Sequence, residues 1–277
     1  MGTSVLTGNG LSFSVEDTGG NGPTVLLLHG FPDSAALWRN QIPKLVAARY
    51  RVIAPDLRGF GSSDRPGEVE NYRMELLVGD VLSILDALEV RSTAVVGHDW
   101  GSGIGWALAG LSPERVTRFM ALSVGHPSSY FTDLRQRELS WYMLFFQFIG
   151  VAEEALRRND WALLREWTNN PVDIERYVTD LDRPGALTAA LNYYRANVPP
   201  EAFGGGAGIE LPPVTCPVLG VWSDGDMACG EAQMLASGKR VSGPWRYKRI
   251  RGAGHWIPLD APEELSNLLL DFLVESP

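Results

Sequence analysis

The sequence contains few cysteines and no long hydrophobic run. Only 2 of its 277 residues are cysteine, Cys216 and Cys229, so a disulfide framework is not expected and both are predicted to be reduced thiols. The start of the chain, MGTSVLTGNG, carries neither a secretory signal nor a complete myristoylation pattern. The longest apolar stretch, residues 141–151, is interrupted by Gln147 and is too short to cross a bilayer. We therefore expect a cytoplasmic protein with no membrane partner.

Basic charge is also scarce, which argues against a nucleic-acid partner. The chain has 24 Lys and Arg against 33 Asp and Glu, which gives a net charge of −9, and its basic residues form no run. Its 4 histidines, at positions 29, 98, 126 and 255, do not have the spacing of metal ligands. The sequence thus predicts no nucleic-acid binding, no metal site and no cofactor.

Short apolar runs alternate with helical patterns over much of the chain. The runs are bounded by Gly, Pro or Asp and have the length of strands that are buried on both faces. They lie at residues 25–28, 52–54, 94–96, 119–124 and 218–222, and helical patterns between them cover 38–48, 74–88 and 101–111. A hairpin over residues 4–15, with its turn at 7–10, is expected to precede them. The alternation predicts an α/β fold with a doubly wound, mostly parallel sheet.

The alternation stops after residue 124. Residues 127–207 contain no convincing strand, and aromatic-rich helical patterns replace it at 139–148, 152–166, 172–181 and 187–197. A glycine-rich stretch at 204–208 then leads back to the next strand pattern. We predict that residues 1–126 and 208–277 form the α/β core and that residues 127–207 form a helical cap inserted into it.

The sequence GHDWG, at residues 97–101, has the framing of a nucleophile elbow, G-x-S-x-G, with an aspartate at its centre. Such an elbow is a tight turn between a strand and a helix, and here a strand pattern precedes the stretch and a helical pattern follows it. A serine that attacks a saturated carbon would form an ether, which water does not readily cleave. A carboxylate forms an ester, which a second step can hydrolyse, and aspartate is ionised at neutral pH because its reference pKa is about 3.9. Asp99 therefore indicates an epoxide or an alkyl halide as substrate.

Two further residues follow in the order in which elbow enzymes use an acid and a base. Asp226 comes after the strand pattern at 218–222, and His255 comes after another at 245–250. Both are expected at the carboxyl ends of strands, where open α/β sheets place their ligands. Asp226 is preferred over Asp224 as the acid because it lies further beyond the strand.

Five stretches of the chain resemble the α/β-hydrolase superfamily and, within it, the epoxide hydrolases. They are HGFPD at 29–33, PDLRGFGSS at 55–63, GHDWG at 97–101, LNYYR at 191–195 and GAGHW at 252–256. The first two are typical of the superfamily, and the aspartate elbow is typical of its members with a nucleophilic aspartate. The resemblance spans nearly the whole chain, and it implies an α/β-hydrolase fold with an inserted all-helical cap.

The resemblance also implies an activity. It is the hydrolysis of an apolar, small-molecule epoxide to a vicinal diol, so the protein would be an ether-bond hydrolase. Asp99 would form an alkyl ester, which water activated by His255 and Asp226 would then hydrolyse. The backbone N–H groups of Phe31 and Trp100 would form the oxyanion hole.

Two cap tyrosines would donate a proton or hydrogen bond to the epoxide oxygen. Tyr194 occupies the second tyrosine position of the family's Leu-Asn-x-Tyr-Arg motif, and Tyr142 lies in a segment resembling the one that holds the first. Tyr193 is the alternative to Tyr194, one residue away and on a different helical face. The implied substrate-binding residues are Phe31, Trp100, Tyr142, Tyr194 and Trp256.

Other functions are compatible with the same residues. A haloalkane or haloacid dehalogenase would use the same Asp-His-Asp set, but such enzymes commonly have Asn where this chain has Phe31. A ligand sensor with a hydrolase fold would bind without turnover. Either broad detoxification or one narrow biosynthetic step fits an epoxide hydrolase, and the protein is expected to be a monomer or a homodimer.

Overall fold

A central sheet of eight strands organises the protein in the computed structural model, which describes residues 3–6, 10–168, 170, 172–204 and 210–274. The strands are β1 (Thr3–Leu6), β2 (Ser12–Asp17), β3 (Thr24–Leu28), β4 (Arg51–Pro55), β5 (Thr93–His98), β6 (Val116–Leu122), β7 (Val218–Ser223) and β8 (Trp245–Ile250). Their order is β1-β2-β4-β3-β5-β6-β7-β8. Strand β2 pairs antiparallel with β1 and β4, and the other pairs are parallel. This confirms the predicted α/β fold with a mostly parallel sheet.

The central parallel strands are short apolar runs because helices cover both faces of the sheet there, whereas the last strand, β8, carries three basic residues and is mostly exposed or half-buried. Every residue of β5 and β7 is buried. The predicted strand at 119–124 begins and ends earlier than expected, because β6 ends at Leu122 and Ser123 has a φ of 66° that a strand cannot continue. The turn predicted for the first hairpin falls on residues 7–9, outside the described residues.

Helices connect and flank the strands. They are α1 (Gln41–Ala47), α2 (Met74–Ala87) and α3 (Trp100–Leu111) before β6, and α10 (Glu231–Ala236), α11 (Ile257–Asp260) and α12 (Pro262–Val274) after β7. Helix α1 begins later than the predicted position 38. Its first turn contains Pro43, which is tolerated only there, while Ala35–Trp38 forms a separate 3-10 turn.

Between β6 and β7 the described residues form helices and no strand. These are α4 (Pro127–Tyr130), α5 (Leu134–Leu139), α6 (Trp141–Phe145), α7 (Val151–Thr168), α8 (Ile174–Leu181) and α9 (Ala186–Asn197), followed by a 3-10 turn at Pro200–Gly204. The predicted cap boundary at 207 and most of the glycine-rich stretch lie outside the described residues, so the division of the chain at that point stays a prediction.

Two of the helices predicted in this segment are interrupted. The pattern at 139–148 is divided, because α5 ends at Leu139 and α6 covers only Trp141–Phe145. Helix α7 leaves the helical conformation at residues 158–161, where Asn159 and Asp160 have positive φ values. Asn and Asp adopt this conformation more readily than most residues, which makes them suited to the break.

An ion-pair network joins α8 to the loop after β3. Arg176 donates to Asp33 Oδ1 at 2.7 Å, and the Tyr177 hydroxyl donates to Asp33 Oδ2 at 2.8 Å. Arg39 contacts Asp173 through two hydrogen bonds of 2.8 and 2.9 Å. These contacts hold the inserted helices over the carboxyl ends of the parallel strands. None of the helices in the described parts of the chain combines the length and the apolar character needed to span a membrane.

Candidate active site

Asp99 lies in the turn between β5 and α3 with φ 53° and ψ −120°. Residues other than glycine rarely adopt a positive φ, and strained positions of this kind cluster at functional sites. The turn is as tight as the predicted elbow requires, because a Cβ on Gly101 would lie 2.1 Å from the carbonyl oxygen of Leu28. Glycine at this position therefore lets α3 begin directly against β3.

The loop after β3 contacts the Asp99 carboxylate. The Phe31 N–H donates to Asp99 Oδ1 at 2.7 Å. A Cβ on Gly30 would lie 2.2 Å from that oxygen and 2.6 Å from the backbone nitrogen of Trp100. The two residues predicted for the oxyanion hole, Phe31 and Trp100, thus have their backbone beside the carboxylate, and only glycine at position 30 permits this approach.

His29 fixes the conformation of this loop. Its Nδ1 donates to the Gly30 carbonyl oxygen at 3.0 Å, and its Nε2 accepts from the Leu57 N–H at 2.9 Å. Burial lowers the pKa of His29, in keeping with a neutral ring that donates at one nitrogen and accepts at the other. His29 therefore holds the loop that carries Phe31.

The structure brings His255 and Asp226 together beside Asp99. Nδ1 of His255 lies 3.0 Å from both carboxylate oxygens of Asp226, and Nε2 lies 3.7 Å from Asp99 Oδ2. The rival acid, Asp224, instead accepts a hydrogen bond from the Gly252 N–H at 2.8 Å. Of the two candidate acids, only Asp226 contacts the histidine.

The buried pair shifts both pKa values toward the charged forms. Burial alone would lower the pKa of His255, but the carboxylate of Asp226, assisted by Asp99 and Cys229, raises it well above its ordinary value. Burial alone would raise the pKa of Asp226, but His255 and the N–H groups of Ala228 and Cys229 hold it below its usual range. At neutral pH Asp226 is therefore a carboxylate that stabilises the imidazolium form of His255.

His98 contacts the backbone of His255. Burial and the neighbouring His255 lower the pKa of His98 to about 4, so its ring is neutral and donates from Nε2 to the His255 carbonyl oxygen at 2.9 Å. The Ser123 hydroxyl donates to the same carbonyl at 3.1 Å. These two hydrogen bonds fix the backbone of the loop that carries His255.

Tyr142 of α6 and Tyr194 of α9 face each other above Asp99. Their ring centroids are 5.7 Å apart and nearly perpendicular. Burial raises the pKa of Tyr142 and of Tyr194, and the nearby Asp99 carboxylate adds to both shifts, so both hydroxyls remain protonated. Tyr193 points elsewhere, because its hydroxyl donates to the Arg58 carbonyl oxygen at 2.7 Å. The structure thus brings Tyr194, and not Tyr193, to the site.

Asp99 lies between two cavities of very different size. The smaller, of about 10 Å³, has room for about one water molecule. It is lined by Asp99 and by Phe31, Tyr142, Trp167, Thr168, Tyr194, Met227, Ala228, His255 and Trp256. The larger, of about 240 Å³, is lined by Asp99 and by Met74, Trp100, Gly103, Val124, Pro127, Tyr130, Phe131, Met143, Asn197, Val198, Pro199, Glu201 and Ala202.

Two side chains at the site were not singled out from the sequence. Trp167 lines the smaller cavity with its ring centroid 4.6 Å from that of Tyr142. Tyr130 lines the larger cavity, and its hydroxyl lies 3.6 Å from Cys229 Sγ. Their place in an aromatic-rich segment was the only signal, and it did not separate site residues from packing.

The residues Asp226, Cys229 and His255 are the one group in the described chain whose ligand atoms cluster as a metal site would require. Burial raises the pKa of Cys229 to about 12, so its thiol is protonated at neutral pH. The Asp226 carboxylate is already bonded to the histidine ring and to two backbone N–H groups. These contacts suit a hydrogen-bonded pair of His255 and Asp226 better than a metal ion.

Comparison with known proteins agrees with this arrangement. The family described as having the α/β hydrolase fold matches residues 23–262. The chain is 33% identical to the AB hydrolase superfamily protein YfhM of Bacillus subtilis, over 96% of this chain and 95% of that protein. It is 31% identical to epoxide hydrolase A of Mycobacterium tuberculosis, over 96% of this chain and 95% of that protein.

A solved structure is similarly close. A variant of an epoxide hydrolase from Bacillus megaterium, complexed with its naphthyloxy-propanediol product, superposes with a TM-score of 0.88 at 27% identity, covering 99% of this chain and 100% of that one. The fold, the extent of the match and the identity of these relatives agree with the resemblance seen in the sequence. The chain therefore belongs to the α/β-hydrolase superfamily and, within it, to the epoxide hydrolase family.

Proposed function

We propose that the protein hydrolyses an epoxide to a vicinal diol through a covalent ester on Asp99. In the first step one Asp99 oxygen attacks a ring carbon, the carbon–oxygen bond of the epoxide breaks, and an alkyl ester forms. The ring oxygen becomes an alkoxide, which takes a proton from Tyr142 or Tyr194. The raised pKa values of both tyrosines support this role, because a protonated phenol can donate where a phenolate cannot.

Hydrolysis of the ester is the second step, and the electrostatics of the site support it. The Asp99 carboxylate is one of the groups that raise the pKa of His255, and esterification removes its charge. The pKa of His255 then falls, and its imidazolium gives its proton to the tyrosinate, which restores the phenol and leaves a neutral imidazole. The imidazole accepts a proton from water, the hydroxide attacks the ester carbonyl, and the N–H groups of Phe31 and Trp100 stabilise the oxyanion. When the intermediate collapses, the carbon–oxygen bond to Asp99 breaks, the departing alkoxide takes the proton of the new carboxyl group, and the diol leaves with Asp99 as a carboxylate and His255 as an imidazolium again.

One observation carries the proposal. A single water-sized cavity is lined by the nucleophile Asp99, by His255 and by both tyrosine rings, Tyr142 and Tyr194. An ester hydrolase acting on a carbonyl would not need two phenols opposite its nucleophile, whereas a strained ring oxygen that becomes an alkoxide requires an acid there. The product bound to the Bacillus megaterium relative is itself a diol, which supports the same substrate class for this chain.

The proposal is tested by product analysis with a set of aryl and alkyl epoxides and matched chloroalkanes. We expect diol from the epoxides and no chloride release. Asp99→Ala should abolish diol formation, with a loss of at least about a thousandfold. Chloride release by the wild-type protein would favour the dehalogenase alternative and would mean that Phe31 does not exclude it. Binding of an epoxide without any product would favour the ligand sensor.

A second variant separates the two chemical steps. His255→Gln should still form the Asp99 ester and then stall, because no base activates the water. Mass spectrometry of the intact protein should then show an adduct equal in mass to the whole epoxide. Normal turnover by His255→Gln without any adduct would refute the two-step scheme.

A further inference from the structure

The two cavities beside Asp99 differ in what they can accept. The smaller one has room for about one water molecule, and the rings of Phe31, Trp167 and Trp256 are part of its lining. The larger one has about 24 times that volume, from 240 against 10 Å³, and its lining is mainly apolar. An epoxide held at Asp99 with its oxygen toward Tyr142 and Tyr194 can therefore place a bulky substituent only in the larger cavity.

The charged residues that line the larger cavity are both acidic. They are Asp99 at its inner end and the exposed Glu201, and none of the described lining residues is basic. Within the described lining, a carboxylate at the far end of a substrate would meet negative charge and no cation; the guanidinium of Arg137 donates to the carbonyl oxygen of Phe131 at 3.2 Å and is not itself part of the lining.

The side chain of Asn197 does not compensate for the missing cation. Asn197 lines the larger cavity, but its amide nitrogen already donates to the carbonyl oxygens of Tyr72 and Tyr193 at 2.7 and 2.8 Å. Its amide oxygen accepts from the Met74 N–H at 2.8 Å. Pro127 and Pro199 in the lining have no N–H to offer.

From these observations we propose that the enzyme acts on terminal epoxides with one mainly apolar substituent whose far end is neutral or cationic, and that Glu201 sets the selection by charge. The inference rests on the proposed epoxide hydrolysis. A trans-1,2-disubstituted epoxide has substituents that point in opposite directions, so one of them would have to enter the smaller cavity. An acidic epoxide, such as that of a fatty acid, is disfavoured both by repulsion from Glu201 and by the absence of a binding cation.

The charge part is tested with phenyl glycidyl ether and its para-carboxylate and para-aminomethyl derivatives. We expect kcat/KM to decrease from the ammonium to the neutral to the carboxylate compound. The differences should reside mainly in KM, because a remote charge interacts equally in the ground and transition states. They should shrink as salt is added, because exposed charges are screened.

Variants assign this selection to one residue. Glu201→Gln should lower the ratio of kcat/KM for the ammonium compound to kcat/KM for the carboxylate compound by about threefold. Glu201→Lys should lower this ratio by about tenfold or reverse the preference. Glu114→Gln makes the same change in net charge at an exposed position just before β6, at the amino end of the parallel strands, and should leave this ratio of kcat/KM values unchanged. An unchanged ratio in both Glu201 variants, or a carboxylate compound as the best substrate, would overturn the charge part.

The steric part is tested with styrene oxide against trans-stilbene oxide. We expect trans-stilbene oxide to react more slowly by a factor on the order of tenfold or more, because overfilling a packed site is destabilising. Trp167→Ala should raise the rate with trans-stilbene oxide, because it enlarges the smaller cavity. Val198→Ala, which changes the larger cavity, should not raise that rate. Equal rates for the two epoxides in the wild-type protein would overturn this part.

Failure of this inference can be told from failure of the proposed function. If the wild-type protein converts phenyl glycidyl ether to diol but does not discriminate between epoxides by charge or shape, the proposed function stands and this inference is wrong. If the folded protein converts none of the epoxides, both the proposed function and this inference are wrong.

Discussion

The two halves of the active site are held in place by different forces. The core half consists of residues on loops after parallel strands, and short polar contacts fix it, such as the 2.7 Å hydrogen bond from Phe31 to Asp99 and the 3.0 Å contacts between His255 and Asp226. In the cap half, the rings of Tyr142 and Tyr194 pack 5.7 Å apart among other aromatic rings, and the polar contacts lie on the helices that carry them, such as the 2.8 Å hydrogen bond from Arg195 to Glu153. The geometry of the core half therefore depends on particular residues at fixed spacings in the sequence. The geometry of the cap half depends on the angle at which its helices pack.

This contrast predicts that the two tyrosine hydroxyls of the cap half can be removed without displacing Asp99. The double variant Tyr142→Phe/Tyr194→Phe keeps the ring packing but removes both acids that face the epoxide oxygen. We expect the first chemical step to slow by about a hundredfold to ten-thousandfold. Each single variant should lose less, because the remaining tyrosine still donates. Single-turnover formation of the Asp99 ester measures the effect, and a double variant with a normal rate would show that the tyrosines only pack.

A glycine substitution tests whether the core half depends on close backbone approach. In Gly30→Ala the new Cβ would lie 2.2 Å from the Asp99 carboxylate, so the loop that carries the Phe31 N–H must move. We expect kcat to fall by about a hundredfold, the usual cost of losing an oxyanion donor. Gly67→Ala is the matched control, because a Cβ there meets no atom within 4 Å. Equal activity of the two variants would contradict the assignment of Phe31.

The pH dependence should differ between the two steps. The second step needs neutral His255, and protonation below its pKa in the ester removes the base, so hydrolysis should slow by about tenfold for each pH unit of further acidification. Ester formation needs only ionised Asp99 and protonated tyrosines and should be insensitive over the same range. Pre-steady-state measurement of both rates checks this, and identical pH profiles for the two steps would contradict the role of His255.

The smallest effect is expected at Tyr193, the neighbour of Tyr194. Tyr193→Phe removes the hydrogen bond to the Arg58 carbonyl, which should lower the free energy of unfolding by about 1 kcal/mol. Diol formation should be unchanged, because this hydroxyl does not face Asp99. Thermal unfolding and the diol assay measure the two quantities. A variant that keeps its stability and loses its activity would reverse the choice between the two tyrosines.

The same contrast explains what the sequence could predict. The order of strands and helices follows from apolar runs and periodicity, and the elbow of Asp99 is a local turn that five residues specify. Asp226 could be placed beyond its strand, but only the structure shows that Asp226, and not Asp224, contacts His255. Tyr194 could be identified by its motif, while its distinction from Tyr193 required the orientation of α9.

Features that depend on packing between distant segments were beyond the sequence. Trp167 and Tyr130 line the two cavities, yet nothing in their local pattern separates them from other buried aromatic residues. The break in α7 at Asn159 and Asp160 escaped because the apolar periodicity continues across it. The unequal volumes of the cavities result from many side chains at once, and no single motif encodes them.

Transfer of an oxygen atom tests the central claim most directly. A single turnover of the wild-type enzyme, in molar excess over an epoxide, is run in water labelled with heavy oxygen. If Asp99 forms an ester that water attacks at its carbonyl carbon, the first diol carries an unlabelled oxygen from Asp99 and the label appears in the enzyme. A labelled diol in the first turnover, with unlabelled Asp99, would mean that water attacks the epoxide directly and would contradict the account.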